Sequence, residues 1–89
     1  MTLPTLECAR ALRDGGIDAV AALNAALAEA LAHAPEDFHR DLKRAIGRAM
    51  SAVLDETVNP AVRAYPELDP DDATWIAVAK ARAAARAGS

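Results

Sequence analysis

The segment Leu68-Asp69-Pro70-Asp71-Asp72-Ala73-Thr74-Trp75 marks the start of the last helix and sets a boundary from which the other helices can be placed. Asp69 is a residue type that caps helices, and Pro70 fits the first helical position because an amide there has no intrahelical partner. Asp71 and Asp72 place negative charge where the first backbone amides of a helix point outward. These features predict a helix over 70–87, with an acidic start and basic residues near its end.

Glycine and proline divide the preceding chain into three further predicted helices, over 3–13, 17–33 and 35–57. The pair Gly15-Gly16 is expected to end the first helix, since glycine suits a left-handed cap and a turn. Pro35 separates the second helix from the third, because proline disfavours helix in the residue before it. Pro60 is expected to kink or break the third helix, the longest of the set.

The joints between these helices are short, which favours packing of consecutive helices against each other. The sequence therefore predicts an all-α fold. We expect a small antiparallel helical bundle or array of four main helices, forming a single domain over 1–89.

Alanine makes up 24 of the 89 residues, whereas tryptophan, tyrosine and phenylalanine occur once each. Alanine favours helix but buries little apolar area, so the core of one chain is expected to be thin. A small helical protein with a thin core can complete it by self-association. We therefore expect a homodimer.

A possible self-association seam lies in the second predicted helix. Asn24, Leu27 and Leu31 recur there at spacings of three and four, as on one face of a helix. A buried asparagine at such a seam can determine the register of a dimer. The alternative interpretation places Asn24, partly exposed, on the edge of the helix.

The strongest candidate binding surface is a row of cations in the third predicted helix. Residues four apart share a helical face, and such a face could bind an acidic protein or a phosphate-bearing ligand. The alternative is a solvated face neutralised by Glu36, Asp37 and Asp41. An exposed Trp75 would mark an interface, whereas a buried Trp75 would be a residue of the core. The predicted partner-binding residues are Arg40, Lys43, Arg44, Arg48 and Trp75.

Two other functions use residues of the same helix. The cations Arg40, Lys43, Arg44 and Arg48 could serve a nucleic-acid accessory protein, although a formal net charge of −3 argues against a general nucleic-acid binder. Glu36 and His39 have the spacing of half a di-metal carboxylate site. A solvent-facing histidine is the simpler interpretation, so no metal or other cofactor is predicted.

No spacing in the sequence matches a catalytic Ser-His-Asp set or a glycine-rich phosphate loop, so we expect no enzyme activity. The single cysteine, Cys8, is consistent with a reducing compartment. Asp18, Asn24 and Glu29 interrupt the apolar run 17–34, which argues against a membrane span. The resulting hypothesis is a cytoplasmic, non-enzymatic protein-interaction or regulatory module with a protein partner of unknown identity.

Overall fold

The structure is a computed structural model, and it describes residues 2–88. These residues are 86% helical and include no strand, which confirms the all-α prediction. Four α-helices follow one another in the chain: α1 (Leu6–Ala32), α2 (His39–Val53), α3 (Asn59–Ala64) and α4 (Asp72–Ala87). Shorter helical turns connect them: Glu36–Phe38 and Pro66–Leu68 are 3-10 turns, and Leu54–Val58 is a π-helical turn.

The first two predicted helices are one helix, so the predicted stop at Gly15-Gly16 is wrong. α1 begins after Thr5, whose hydroxyl accepts a hydrogen bond of 3.0 Å from the backbone N–H of Cys8. It then continues for 27 residues and passes through both glycines. Gly16 is a packing residue, since a Cβ built on it would lie only 2.1 Å from the Thr57 hydroxyl oxygen.

The second rod comprises α2, the π-helical turn Leu54–Val58 and α3, which follow without interruption. Helix therefore continues through Pro60. Proline lacks an N–H and its ring clashes with the carbonyl four residues earlier in a regular α-helix. The wider π-helical turn directly before α3 accommodates this residue.

The chain therefore forms three helical rods, and the predicted count of four main helices is wrong. The longest is α1, whereas the prediction gave that place to the third helix. α1 is central, because α2, the π-helical turn, α3 and α4 all pack against it. The second rod returns antiparallel to α1 after the turn Glu36–Phe38. α4 runs in the direction of α1, since Arg82 lies beside Gly15 and Arg86 pairs with Asp18.

The hydrophobic core lies at the end of the molecule where α1 begins. Leu3, Ala9, Ala61 and Leu68 are buried together there. Three partly buried side chains pack against this cluster: Leu6, Leu12 and Tyr65. Ile17, Val20 and Val58 are buried further along α1 and the second rod.

A buried arginine fastens the segment before α4 to α1. Arg13 is 8% exposed. Its Nη1 donates a 3.0 Å hydrogen bond to the Leu68 carbonyl, and its Nε donates to Asp14 at 2.8 Å. The carboxylate of Asp14 thus neutralises the guanidinium, which also supplies the donor that the buried Leu68 carbonyl needs.

α4 begins two residues later than predicted, and its cap is Asp71 instead of Asp69. The Asp71 carboxylate accepts a 2.7 Å hydrogen bond from the Thr74 N–H. This bond, followed by the contribution of the Thr74 side chain, lowers the pKa of Asp71 below its ordinary value. Pro70 lies before the cap, where it restricts the chain that leads into the helix.

α1 is long and apolar enough to cross a membrane by length and composition. Core helices of other proteins and signal sequences share these two properties. Length and composition therefore do not assign α1 to a membrane or to any compartment.

Candidate interaction surfaces

The basic stripe consists of Arg40, Lys43, Arg44 and Arg48, all of which are exposed on α2. The ion pairs within the described part of the chain are Arg13–Asp14 and Arg86–Asp18. None of the four stripe cations is therefore within 4.0 Å of a carboxylate in residues 2–88. The expected neutralisation of the stripe by Glu36, Asp37 and Asp41 does not occur as direct ion pairs.

The helix that carries the basic stripe is strongly amphipathic. Its apolar side chains are partly buried on the side that packs against α1: Leu42, Ile46, Ala49, Met50 and Val53. At helical spacing, Arg40, Arg44 and Arg48 lie on the opposite side, and Lys43 lies at its edge. A Cβ built on Gly47 would have no neighbour within 4 Å, so this side of α2 is open around the glycine. The stripe is therefore a free surface on a helix held by its other face.

A second surface is the distal hairpin, which we define as α1 from residue 21, the connection 33–38 and α2. None of its described residues is buried. The large apolar side chains Leu27 and Leu31 are only partly buried in it, and Phe38 is 57% exposed. The hairpin thus presents apolar surface at the end of the molecule that lacks a core.

The predicted self-association residues all lie in the distal hairpin. Leu27 and Leu31 are partly buried, as expected for residues near the neighbouring helix. Asn24 is exposed, so it does not sit in a buried seam within one chain.

Trp75 lies on α4, away from the helix of the basic stripe, and it is partly buried. The structure therefore does not gather the five predicted partner-binding residues into one surface. The adjacent Ile76 is 66% exposed, and sequence reasoning did not single it out. Its exposure depends on how α4 is rotated against α1, which no local pattern specifies.

His39 is engaged inside the chain. Its Nε2 lies 3.0 Å from the Ala34 carbonyl oxygen, and its ring is partly buried at the start of α2. Glu36 is exposed in the preceding turn. Residues 2–88 contain no group of three or more His, Cys, Asp or Glu side chains arranged to hold a metal ion. The contact between His39 and Ala34 joins the two ends of the segment that connects α1 and α2.

An open groove of about 700 Å³ lies between the N-terminal segment and the second rod. Asp55 and Glu56, from the π-helical turn, line it together with Arg63 and Tyr65. Asp55 accepts a 3.3 Å hydrogen bond from Asn59. No pattern in the sequence indicates this groove, because its walls meet only after Leu3 and α3 pack together.

Comparisons with protein families, curated proteins and solved structures found no match to this chain. The geometry defines the class as a small all-α protein with a charged helical face and an incompletely covered hairpin.

Proposed function

We propose that this protein is a small, cytoplasmic, non-enzymatic interaction module that acts as a homodimer and binds a partner protein through the basic stripe. The observation that carries the proposal is the stripe itself. Arg40, Lys43, Arg44 and Arg48 are all exposed on one helix. No carboxylate of residues 2–88 pairs with them.

Unpaired guanidinium groups on a helix suit carboxylate recognition. Each guanidinium offers a planar set of donors that can bind a carboxylate through two hydrogen bonds. Arg40, Arg44 and Arg48 recur every four residues, about 6 Å along the helix. A partner helix with acidic residues at the same spacing would place one carboxylate opposite each arginine.

The surroundings of the stripe favour a protein over nucleic acid. Glu36, Asp37 and Asp41 are exposed on the same part of the chain. A continuous polyanion would meet these carboxylates as well as the arginines, whereas a folded acidic partner can avoid them. A nucleic-acid accessory role remains the second candidate, since the same four cations could contact phosphates.

Capture from lysate of the source cell tests the stripe. The baits are the unmodified protein, Arg44→Glu and Lys80→Glu. Lys80 is exposed on α4, so its substitution makes the same change in net charge away from the stripe. We expect one acidic protein to be retained by the unmodified protein and Lys80→Glu and lost with Arg44→Glu. Equal retention by all three baits would refute the assignment, and salt-sensitive nucleic acid alone would support the second candidate.

The homodimer part of the proposal is supported by the limited core of the single chain. No residue between Val20 and Val58 is buried, so α2 contributes nothing to the buried apolar residues. Contacts between two chains would cover apolar side chains that are only partly buried in the single chain, such as Leu27 and Leu31. Light scattering should then give twice the chain mass of 9.3 kDa.

A further inference from the structure

The groove beside the N-terminal segment brings opposite charges to one surface without pairing them. Asp55 and Glu56 line it from the π-helical turn, and Arg63 lines it from α3. All three residues are exposed. Within residues 2–88, neither carboxylate lies within 4.0 Å of the Arg63 guanidinium. The groove therefore offers two anions and one cation to a molecule that enters it.

The two signs of charge lie at different places along the second rod. Glu56 and Arg63 are seven residues apart, which corresponds to about 10 Å along a helix axis. Asp55 is next to Glu56, so both carboxylates are at the same end. A single small molecule can engage both ends only if it carries a cation at one end and an anion at the other.

The π-helical turn helps both carboxylates to line one groove. A π-helical turn contains more residues than an α-helical turn, so consecutive side chains point in more similar directions. Asp55 accepts a 3.3 Å hydrogen bond from Asn59, which orients its carboxylate. Two neighbouring carboxylates suit a guanidinium group, because its planar set of donors can serve both of them.

The groove also has an apolar part that is held in place by the core. Leu3 is buried, and Pro60 and Tyr65 are partly buried. Leu3 belongs to the buried cluster, and Tyr65 packs against that cluster. The volume of about 700 Å³ is typical of a small-molecule site. An aliphatic chain between two charged groups would contact this apolar part.

We propose that the groove binds a free cationic amino acid of the arginine type. The guanidinium of the ligand lies between Asp55 and Glu56, and its carboxylate pairs with Arg63. Its α-ammonium group stays in water, because the groove is open. The net charge of the three groove residues is −1, and that of free arginine is +1. None of the residues of the basic stripe lines the groove, so this inference is independent of the proposed function.

Titration of the isotope-labelled protein with L-arginine, followed by amide NMR spectra, tests the site. We expect saturable shifts at Glu56 and Ala64, which line the groove, and none at Gly47 on the open side of α2. L-citrulline has a neutral group of similar shape in place of the guanidinium, and agmatine lacks the carboxylate. Each should bind at least about tenfold more weakly, because each loses one charge-assisted contact.

Two substitutions assign the two ends of the ligand. Glu56→Gln should weaken the binding of L-arginine about tenfold and reduce its advantage over L-citrulline. Arg63→Gln should abolish the advantage of L-arginine over agmatine. Glu67→Gln is the matched control, because Glu67 is exposed outside the groove and its substitution removes the same charge as Glu56→Gln. Circular dichroism of the three variants checks that their helix content is retained.

The ligand series separates a site from general attraction to an acidic protein. The chain has a formal net charge of −3, and agmatine carries two positive charges. General attraction therefore favours agmatine over L-arginine, whereas the proposed site favours L-arginine. Equal or tighter binding of agmatine by the unmodified protein would overturn the inference. Equal losses in Glu56→Gln and Glu67→Gln, or shifts that do not saturate by about 10 mM L-arginine, would do the same.

Discussion

The backbone of Gly16 in α1 lies directly against the side chain of Thr57 in the π-helical turn. A Cβ on Gly16 would fall 2.1 Å from the Thr57 Oγ1 and 2.9 Å from Val58 Cγ2. Such separations are too short for non-bonded atoms, so α1 and the second rod approach as closely as they do only because residue 16 has no side chain. The Thr57 hydroxyl also donates to the Val53 carbonyl, which holds the side chain in place.

Gly16→Ala should destabilise the protein by about 1–3 kcal/mol, the usual cost of overpacking a tight contact. Gly47→Ala is the matched control, because a Cβ at that helical position meets nothing within 4 Å. The control should stabilise the protein by about 0.5–1 kcal/mol through helix propensity alone. Urea unfolding measures both. If Gly16→Ala also stabilised the protein, the close approach of the two rods would be wrong.

Arg13→Met should destabilise the protein by about 1–3 kcal/mol, because it leaves the carbonyl of buried Leu68 without its donor. Arg10→Met is the matched control on the same helix, since Arg10 is exposed. The control should change the free energy of unfolding by less than about 0.5 kcal/mol. Urea unfolding again provides the measurement, and equal effects of the two substitutions would contradict a special role for Arg13.

Asp71→Ala should expose the first turn of α4 to amide exchange at neutral pH, whereas Asp69→Ala should not. The reason is that the Asp71 carboxylate accepts from the Thr74 N–H. Hydrogen exchange of the Thr74 amide, followed by NMR, measures the effect. Faster exchange in Asp69→Ala than in Asp71→Ala would show that Asp69 is the cap, as the sequence predicts.

The same cap should respond to acid in the unmodified protein. The hydrogen bond to Thr74 lowers the pKa of Asp71 in the folded state. A lowered pKa adds stability that is fully present above the unfolded-state value and is lost as the pH falls through the folded-state value. Protection of the Thr74 amide should therefore be constant near neutrality and decline below pH of about 4. An unchanged amide in strong acid would contradict the role of the carboxylate.

The ion pair between Arg86 and Asp18 should contribute little at equilibrium. The Arg86 side chain is 57% exposed, so solvent screens the interaction. A double-mutant cycle with Arg86→Gln and Asp18→Asn should give a coupling of about 0.2–1 kcal/mol that disappears at high salt. A coupling that persisted at high salt would mean that the end of α4 is held in a less solvated environment.

Much of the local structure follows from neighbouring residues. The helical break before Pro35 is confirmed, because proline restricts the residue that precedes it. The start of α4 lies within two residues of its predicted position, since several nearby acids can each act as a cap. The prediction selected the wrong acid because the path of the chain after Leu68, fixed by its burial, determines which carboxylate reaches an amide.

The candidate surfaces were predictable in part. Helical spacing placed Arg40, Arg44 and Arg48 on one face of a helix, and that face is exposed in the structure. Whether Glu36 would neutralise the stripe was not predictable, because long side chains adopt many rotamers at similar energy. The incomplete burial of the distal hairpin was not predictable either, because it depends on α4 ending beside Asp18.

Residues a few places apart specify the all-α class, the amphipathic face of α2 and the positions of the connections before Pro35 and after Tyr65, so these features could be predicted. The continuation of α1 through Gly15-Gly16 and of the second rod through Pro60 depends instead on tertiary packing. Glycine and proline weaken an isolated helix by about 1 and 3 kcal/mol. Packing outweighs these costs here, since Gly16 allows the close contact with Thr57 and the π-helical turn accommodates the proline.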